Sequence, residues 1–311
     1  MDIFLPIAGK SINVFLVVGI GGIVGFLSGL FGVGGGFLLT PLLMMIGIPP
    51  AVAAASDSNQ IVASASSAAA THYRMGHVDM KMGIIILIGG LSGGTLGVQV
   101  VKILREMGNF DFFIKAVYVV ILGVIGGLMF MESLRSLRRS ATAGPVEAQA
   151  PGSRRFSDWF QALPLQMEFK NLGMRTSAIF PFVAGMIVGI LAAIMGVGGG
   201  FIMVPTMIYI IGMPTVMAVG TDLFQIVITS ANVTFQQAMR NHTVDLMLAV
   251  ILFCGSVFGA QLGARVSKKL RGEQIRILLA VIVLIVMVKL LFDLIRTPEN
   301  VIDFVRASGG H

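Results

Sequence analysis

A single cysteine, Cys254, stands in 311 residues, and it lies inside an apolar run. That excludes a disulfide framework and any cysteine-built metal site. Charge is also scarce. Asp, Glu, Lys and Arg make up 12% of the chain, where soluble domains carry about a quarter. Acids are the rarer sign, 15 against 22 basic residues, and only Asp57 and Asp222 fall well inside apolar runs. The alternating apolar and polar pattern of an outer-membrane barrel is missing. So are the complete phosphate loop and the βαβ context of a dinucleotide site: Gly9-Lys10-Ser11 has Phe4 where the leading glycine belongs. No nucleophile–base pair or ligand cluster at helical spacing suggests an enzyme, a metal or a cofactor.

What is present is apolar sequence, 56% of all residues, in blocks of helical length. A soluble core cannot absorb that much at this length, so the expectation is an all-α polytopic membrane protein. The net charge of +7 lies mostly in connections between blocks, where Lys and Arg set topology. It does not point to nucleic acid. The N-terminus is expected to open directly on a retained first helix.

The blocks run Ile12–Phe31, Phe37–Gly47, Pro50–Tyr73, Met82–Leu104 and Phe112–Met131, then restart at Ser177–Met195, Phe201–Ile211, Pro214–Met239, Leu246–Val266 and Ile275–Leu294. This is an internal duplication. Gly32-Val33-Gly34-Gly35-Gly36 recurs 164 residues later as Gly196-Val197-Gly198-Gly199-Gly200, each copy with Pro five residues on, at Pro41 and Pro205. Asp57 pairs with Asp222 and Gln60 with Gln225 at 165, and Gly89, Gly93 and Gly97 with Gly255, Gly259 and Gly263 at 166. The expected organisation is therefore a first transmembrane repeat (1–131), a cytoplasmic linker (132–176), a second repeat (177–296) and a polar tail (297–311). The linker is Arg-rich over Glu132–Ser157 and amphipathic over Asp158–Met174. Two homologous halves joined by a basic loop suit a secondary transporter, and the Lys and Arg distribution slightly favours inverted halves of four to five segments each.

The glycine motifs are expected to break the membrane helix. Each is followed by an apolar run of about half a bilayer, crossing or re-entrant, and exposed backbone N–H groups at such a break attract anions. Close helix packing is the other reading of these glycines, and is the preferred one for Gly89, Gly93, Gly97 and their copies. In the third block of each half, Gln60, Ser64, Ser67 and Thr71 step by four, three and four, as do Gln225, Thr229, Asn232 and Gln236. Each set makes one polar helix face, either lining a shared cavity or bonding between helices. Asp57 and Asp222 either carry a proton or cation or brace the helix break. His77, His242, Asp79 and Asp245 fall in connections, where capping is expected.

The repeated "GVGGGFLLTPLL" and "GVGGGFIMVPTM", with "AAASDSNQI" and "AVGTDLFQI" downstream, "GHVD" and the GxxxGxxxG helices, resemble the sulfite exporter TauE/SafE family. That resemblance implies a multi-pass permease of the bacterial inner membrane for a small sulfur-containing anion such as sulfite, sulfoacetate or another organosulfonate. The expected partners are that anion and the lipid bilayer, and a homodimer is allowed. Expected substrate contacts are Gly34, Gly35, Gly36, Asn59, Gln60 and Ser64 with Gly198, Gly199, Gly200, Gln225, Thr229 and Asn232, supported by Asp57 and Asp222. The alternative is a proton- or cation-coupled carrier of another small anion or metabolite, using Asp57 or Asp222.

Overall fold

The structure is a computed structural model that describes residues 2–31, 36–108, 110–140, 166–169, 174–267 and 272–295. Gly34 and Gly35, most of the linker (141–165 and 170–173) and the tail from 296 lie outside the described residues.

Among the described residues ten α-helices carry the fold, five in each half. The first five are α1 (Val14–Phe31), α2 (Gly36–Met45), α3 (Pro50–Arg74), α4 (Met80–Glu106) and α5 (Phe110–Ser140). The second five are α6 (Ile179–Met195), α7 (Gly200–Thr206), α8 (Thr215–Gln236), α9 (Leu246–Ser267) and α10 (Gly272–Ile295). Helix α7 continues as a π-turn, Met207–Ile211, just past Pro205, and α8 continues as another, Gln237–Asn241. Among the described residues five helices, α4, α5, α8, α9 and α10, are long and apolar enough to cross a bilayer. Helix α3 has the length too, 25 residues, but carries the first polar stripe.

Three differences from the sequence expectation concern element ends. The N-terminus opens on an antiparallel hairpin, β1 (Asp2–Leu5) with β2 (Lys10–Asn13), rather than directly on a helix. A second hairpin, β3 (Gln166–Phe169) with β4 (Met174–Ser177), precedes α6. The end of the stretch expected to be amphipathic is thus a paired strand, where Gln166 and Met167 are both exposed. Its strands start 164 residues after β1 and β2, the same spacing as the glycine motifs. Third, α5 runs nine residues past Met131, through Glu-, Leu- and Arg-containing sequence that favours helix in water.

The halves interleave. The first helix of each packs along the fourth helix of the other, and glycine allows the close approach. A Cβ on Gly259 would strike the Gly22 carbonyl of α1, and one on Gly93 the Met186 carbonyl of α6. This is small-residue packing, in which van der Waals contact replaces the missing hydrophobic drive between helices in lipid. Contacts advance in step along both chains. Gly22 meets Gly255 and Phe26 meets Gly259 and Gly263, so α1 and α9 are parallel. Gly185 meets Ile86 and Gly97 meets Ala193, so α4 and α6 are parallel as well.

Helices at equivalent places in the two halves run oppositely. In α5 and α10, Gly126 meets Val283 while the earlier Gly123 meets the later Met287. Helix α8 begins beside the end of α3, where the backbone N–H of Asp79 donates to Thr221 Oγ1 at 3.0 Å. Near its start, α3 meets the end of α6 through Ala54 and Gly196. The end of α8 meets it too, through Gln237 Nε2 donating to the Ala193 carbonyl. Helices α3 and α8 are therefore antiparallel.

Candidate functional site

Two helix reversals meet at the middle of the bundle. In the second half, α6 ends at Met195 and the chain turns through Gly196, Gly198 and Gly199, whose φ values of 76°, 70° and 91° lie in the left-handed region. Only glycine adopts three such conformations within four residues without strain. Helix α7 then returns, and Met207 and Ile211 from its far end join Ala184 and Phe180 near the start of α6 in one apolar cluster. In the first half α2 starts at Gly36 beside the middle of α3 and ends at Gly47, beside Lys10 ahead of α1. The short runs following the glycines are thus arms that turn back.

The reversals touch. Phe37 stacks on Phe201 with ring centroids 4.3 Å apart. A Cβ on Gly36 would stand 2.6 Å from Ile61 Cδ1, 3.1 Å from the Val197 carbonyl oxygen and 3.2 Å from Asp57 Oδ1. Gly198 faces both Ile61 and Ile226. Those two isoleucines each lie eleven residues into α3 and α8, roughly 16 Å from either helix start.

Asp57 is the charged-type residue at this junction. It is fully buried, and its Oδ2 accepts a hydrogen bond from Thr40 Oγ1 of α2 at 2.8 Å. Its Oδ1 is buried with no partner, and so are Ser56 Oγ and Gln60 Oε1 nearby on α3. Tyr118 of α5, also fully buried, lies close to Asp57 and Thr40 and donates to the Met195 carbonyl at 2.6 Å. Ser58 Oγ reaches the Gly196 carbonyl at 3.5 Å, a weak contact.

Asp222 has a different setting. Its Oδ1 accepts from Gln225 Nε2 at 2.9 Å, and Gln225 Oε1 accepts from Thr229 Oγ1 at 3.1 Å. The rest of that stripe is bonded in part, with Asn232 Nδ2 and Gln236 Oε1 buried and without a partner. Gln236 Nε2 donates to Asn232 Oδ1 at 3.1 Å and to Thr95 Oγ1 of α4 at 2.9 Å. Gly90 and Gly94 of α4 leave room for Thr229 and Asn232. The second stripe therefore faces α4 and bonds largely to itself and to that helix.

The first stripe is not its mirror image. Gln60 is buried and Asn59 half-buried, but Ser64 and Thr71 are exposed. Ser64 donates back to the Ile61 carbonyl of its own helix at 3.3 Å. The structure thus gathers Gly36, Gly198, Gly199, Gly200, Asp57 and Gln60 around the junction. It places Ser64 outside it and Gln225, Thr229 and Asn232 against α4. The connection acids cap helices: Asp79 Oδ1 accepts from the Met82 N–H at 3.0 Å and Asp245 Oδ1 from the Leu248 N–H at 3.1 Å. Sequence reasoning passed over Thr40 and Tyr118. Thr40 carried a signal, being the only hydroxyl residue in the Phe37–Gly47 run. Tyr118 had none, because its partner is a backbone carbonyl 77 residues away.

Apolar spans, helices reversing inside the bundle and a fully buried acid at the reversal define an all-helical polytopic membrane protein built like a transporter. Residues 17–290 match the family model described as sulfite exporter TauE/SafE, and the chain belongs to that family of membrane transporters. It is similar to a probable membrane transporter protein of Bacillus subtilis (strain 168), YunE, with 25% identity over 288 residues, covering 90% of this chain and 97% of that one. A probable membrane transporter protein of Xylella fastidiosa (strain 9a5c) is 27% identical over 259 residues, covering 83% and 86%. One from Methanocaldococcus jannaschii is 24% identical over 286 residues, covering 85% and 90%. No solved structure gives a significant match.

Proposed function

We propose that this membrane transporter is a secondary carrier of a small sulfur-containing anion, with sulfite, sulfoacetate and other organosulfonates as the substrate class. The observation carrying the reading is the meeting of the two glycine reversals, Gly36 against Val197 and Phe37 on Phe201. A position roughly 16 Å along two antiparallel helices is about half of a ~30 Å hydrocarbon core, which supports a substrate site near the midplane. Unwound backbone at that depth needs protein or water around it, and carriers use such breaks for ions. The antiparallel course of α3 with α8, and of α5 with α10, supports inverted repeats. The family's description, sulfite exporter, supports the substrate class.

In this reading the anion is held by backbone N–H groups of Gly36, Gly198, Gly199 and Gly200, with Asn59 and Gln60 at its edge. Gln225, Thr229 and Asn232 fix α8 against α4 instead of touching it. The protein is assigned to the bacterial inner membrane, and a homodimer is compatible with its exposed apolar helix faces.

Purified full-length chain in proteoliposomes tests this with ³⁵S-sulfite. Uptake well above protein-free vesicles is expected, as is thermal stabilisation by at least one of sulfite, thiosulfate, sulfoacetate and sulfate. Gly36→Ala puts a methyl group into the junction and should cut flux at least tenfold in protein that still folds. Folded wild type that neither carries nor is stabilised by any of these anions would overturn the proposal.

A further inference from the structure

We infer that Asp57 is the coupling group of this carrier: it binds a proton or a sodium ion at Oδ1, and that neutralisation is what lets an anion enter the glycine junction. Three observations at one place carry this. Asp57 is fully buried, yet Oδ1 has no hydrogen-bond partner. Among the described residues no cationic side chain pairs with it. And Oδ1 would lie 3.2 Å from a Cβ on Gly36, the first residue of α2 and a wall of the junction.

A bare carboxylate in that position is costly twice over. Burial of an unpaired charge carries a large desolvation penalty, which proteins meet by neutralising the group. A second negative charge a few ångströms away in a low-dielectric interior would add strong repulsion. Among the described residues no opposite charge is set against it. Helices α1, α2 and α6 contain no titratable side chain at all. Helix α5 presents Tyr118, whose hydroxyl is committed to Met195, and carries Lys115 one turn earlier, set against Asp111, while α8 presents another acid, Asp222. Helices α4 and α9 hold their basic residues at their ends, Lys81, Lys102 and Arg105 on α4 and Arg265 on α9, and Lys289 of α10 stands six residues from that helix's end.

A cation bound at Oδ1 resolves both problems. A proton turns Oδ1 into a donor, in a neighbourhood where Gln60 Oε1 is itself a buried acceptor without a donor. Sodium would be held at Asp57 Oδ1, with Gln60 Oε1, three residues along the same helix, as a second buried and unpartnered oxygen. Asp222 differs: its Oδ1 accepts from Gln225 on its own helix, and neither of its oxygens is both fully buried and without a partner. The two acids have therefore diverged in role, with Asp57 the one that changes charge.

The inference rests on the transport reading only for the anion's entry, so the test uses no substrate. Infrared spectra of purified full-length protein, with ¹³C-labelled aspartate, report a buried carboxylic acid by its C=O stretch. Thermal unfolding in sodium chloride against choline chloride reports sodium. If the ion is a proton, wild type shows the labelled acid band near neutral pH and Asp57→Asn loses it. Thr40→Val, which removes the side-chain donor to Oδ2, moves that band to higher frequency. If the ion is sodium, wild type gains several degrees in sodium chloride and Asp57→Asn gains none, with Thr40→Val gaining less than wild type. A wild type with neither a buried acid band nor sodium-specific stabilisation overturns the inference, whether or not sulfite is carried. An acid band that survives unchanged in folded Asp57→Asn overturns it too.

Discussion

Asp57 and Asp222 stand at matching places in the two halves and are both buried, yet only one is satisfied locally. Asp222 takes its hydrogen bond from Gln225, one turn along its own helix, and that amide is held by Thr229. Asp57 reaches across to Thr40 on α2, and the residue at the matching place in α7 is Val204, which cannot donate. The same asymmetry extends up the stripes. Thr229 and Gln236 are buried against α4, while their counterparts Ser64 and Thr71 are exposed. Both stripe helices keep buried polar atoms without a partner, but only on α3 is one of them a carboxylate oxygen. A helix-to-helix hydrogen bond ties an acid to the relative position of two elements, whereas a bond within one helix does not.

The sharpest break would come where the halves are still equal. Gly93→Leu and Gly259→Leu each force a side chain into the backbone of the opposite half, at Met186 and Gly22. Each should cost more than about 4 kcal/mol and abolish the monodisperse peak in size-exclusion chromatography. If one variant remained well folded, the interleaved packing would not be equivalent in the two halves.

The acids come next. Thr40→Val removes the side-chain donor to Asp57 Oδ2 and leaves the fully buried carboxyl with at most the backbone N–H of residue 40. A loss of about 1.5–3 kcal/mol is expected in denaturant or thermal unfolding. Gln225→Leu should cost Asp222 a similar amount, but its effect should stay within α8 and α4. Crosslinking between cysteines placed on α2 and α3 would be altered by Thr40→Val alone. An equal response to both variants would remove the distinction between a local and a cross-helix bond.

The smallest effect separates the stripes. Thr229→Ala should destabilise by about 1 kcal/mol, because it strips a buried donor from Gln225. Ser64→Ala should fall within about 0.5 kcal/mol of wild type, as exposed substitutions do. A larger cost at Ser64 would mean that the first stripe is covered in the membrane.

Much of this was legible before any coordinates. The ten apolar blocks coincide with the ten described helices, and the second glycine motif falls where its helix reverses. The short sequels of both motifs were readable as half-length arms because length alone limits what can cross a bilayer. The hairpins were not legible. Four-residue strands carry almost no periodic signal, and β1 and β3 share little beyond their place in the repeat. The stripes were visible as spacing, but spacing cannot say whether a polar face meets a cavity, a neighbouring helix or the exterior. Gln225 and Gln60 look alike in sequence and differ only in what surrounds them.

Composition and repetition by themselves determined an all-helical membrane chain with two related halves and a broken helix in each, because apolar length and glycine content act locally along the chain. The tertiary structure alone decided that the first helix of each half is seated on the fourth of the other. It alone brought Gly36 to Val197 across 161 residues, and left Asp57 rather than Asp222 with a fully buried oxygen that has no partner. Those outcomes depend on which backbones can approach closely and which donors then fall within reach, and that is a property of packed pairs that no single segment carries.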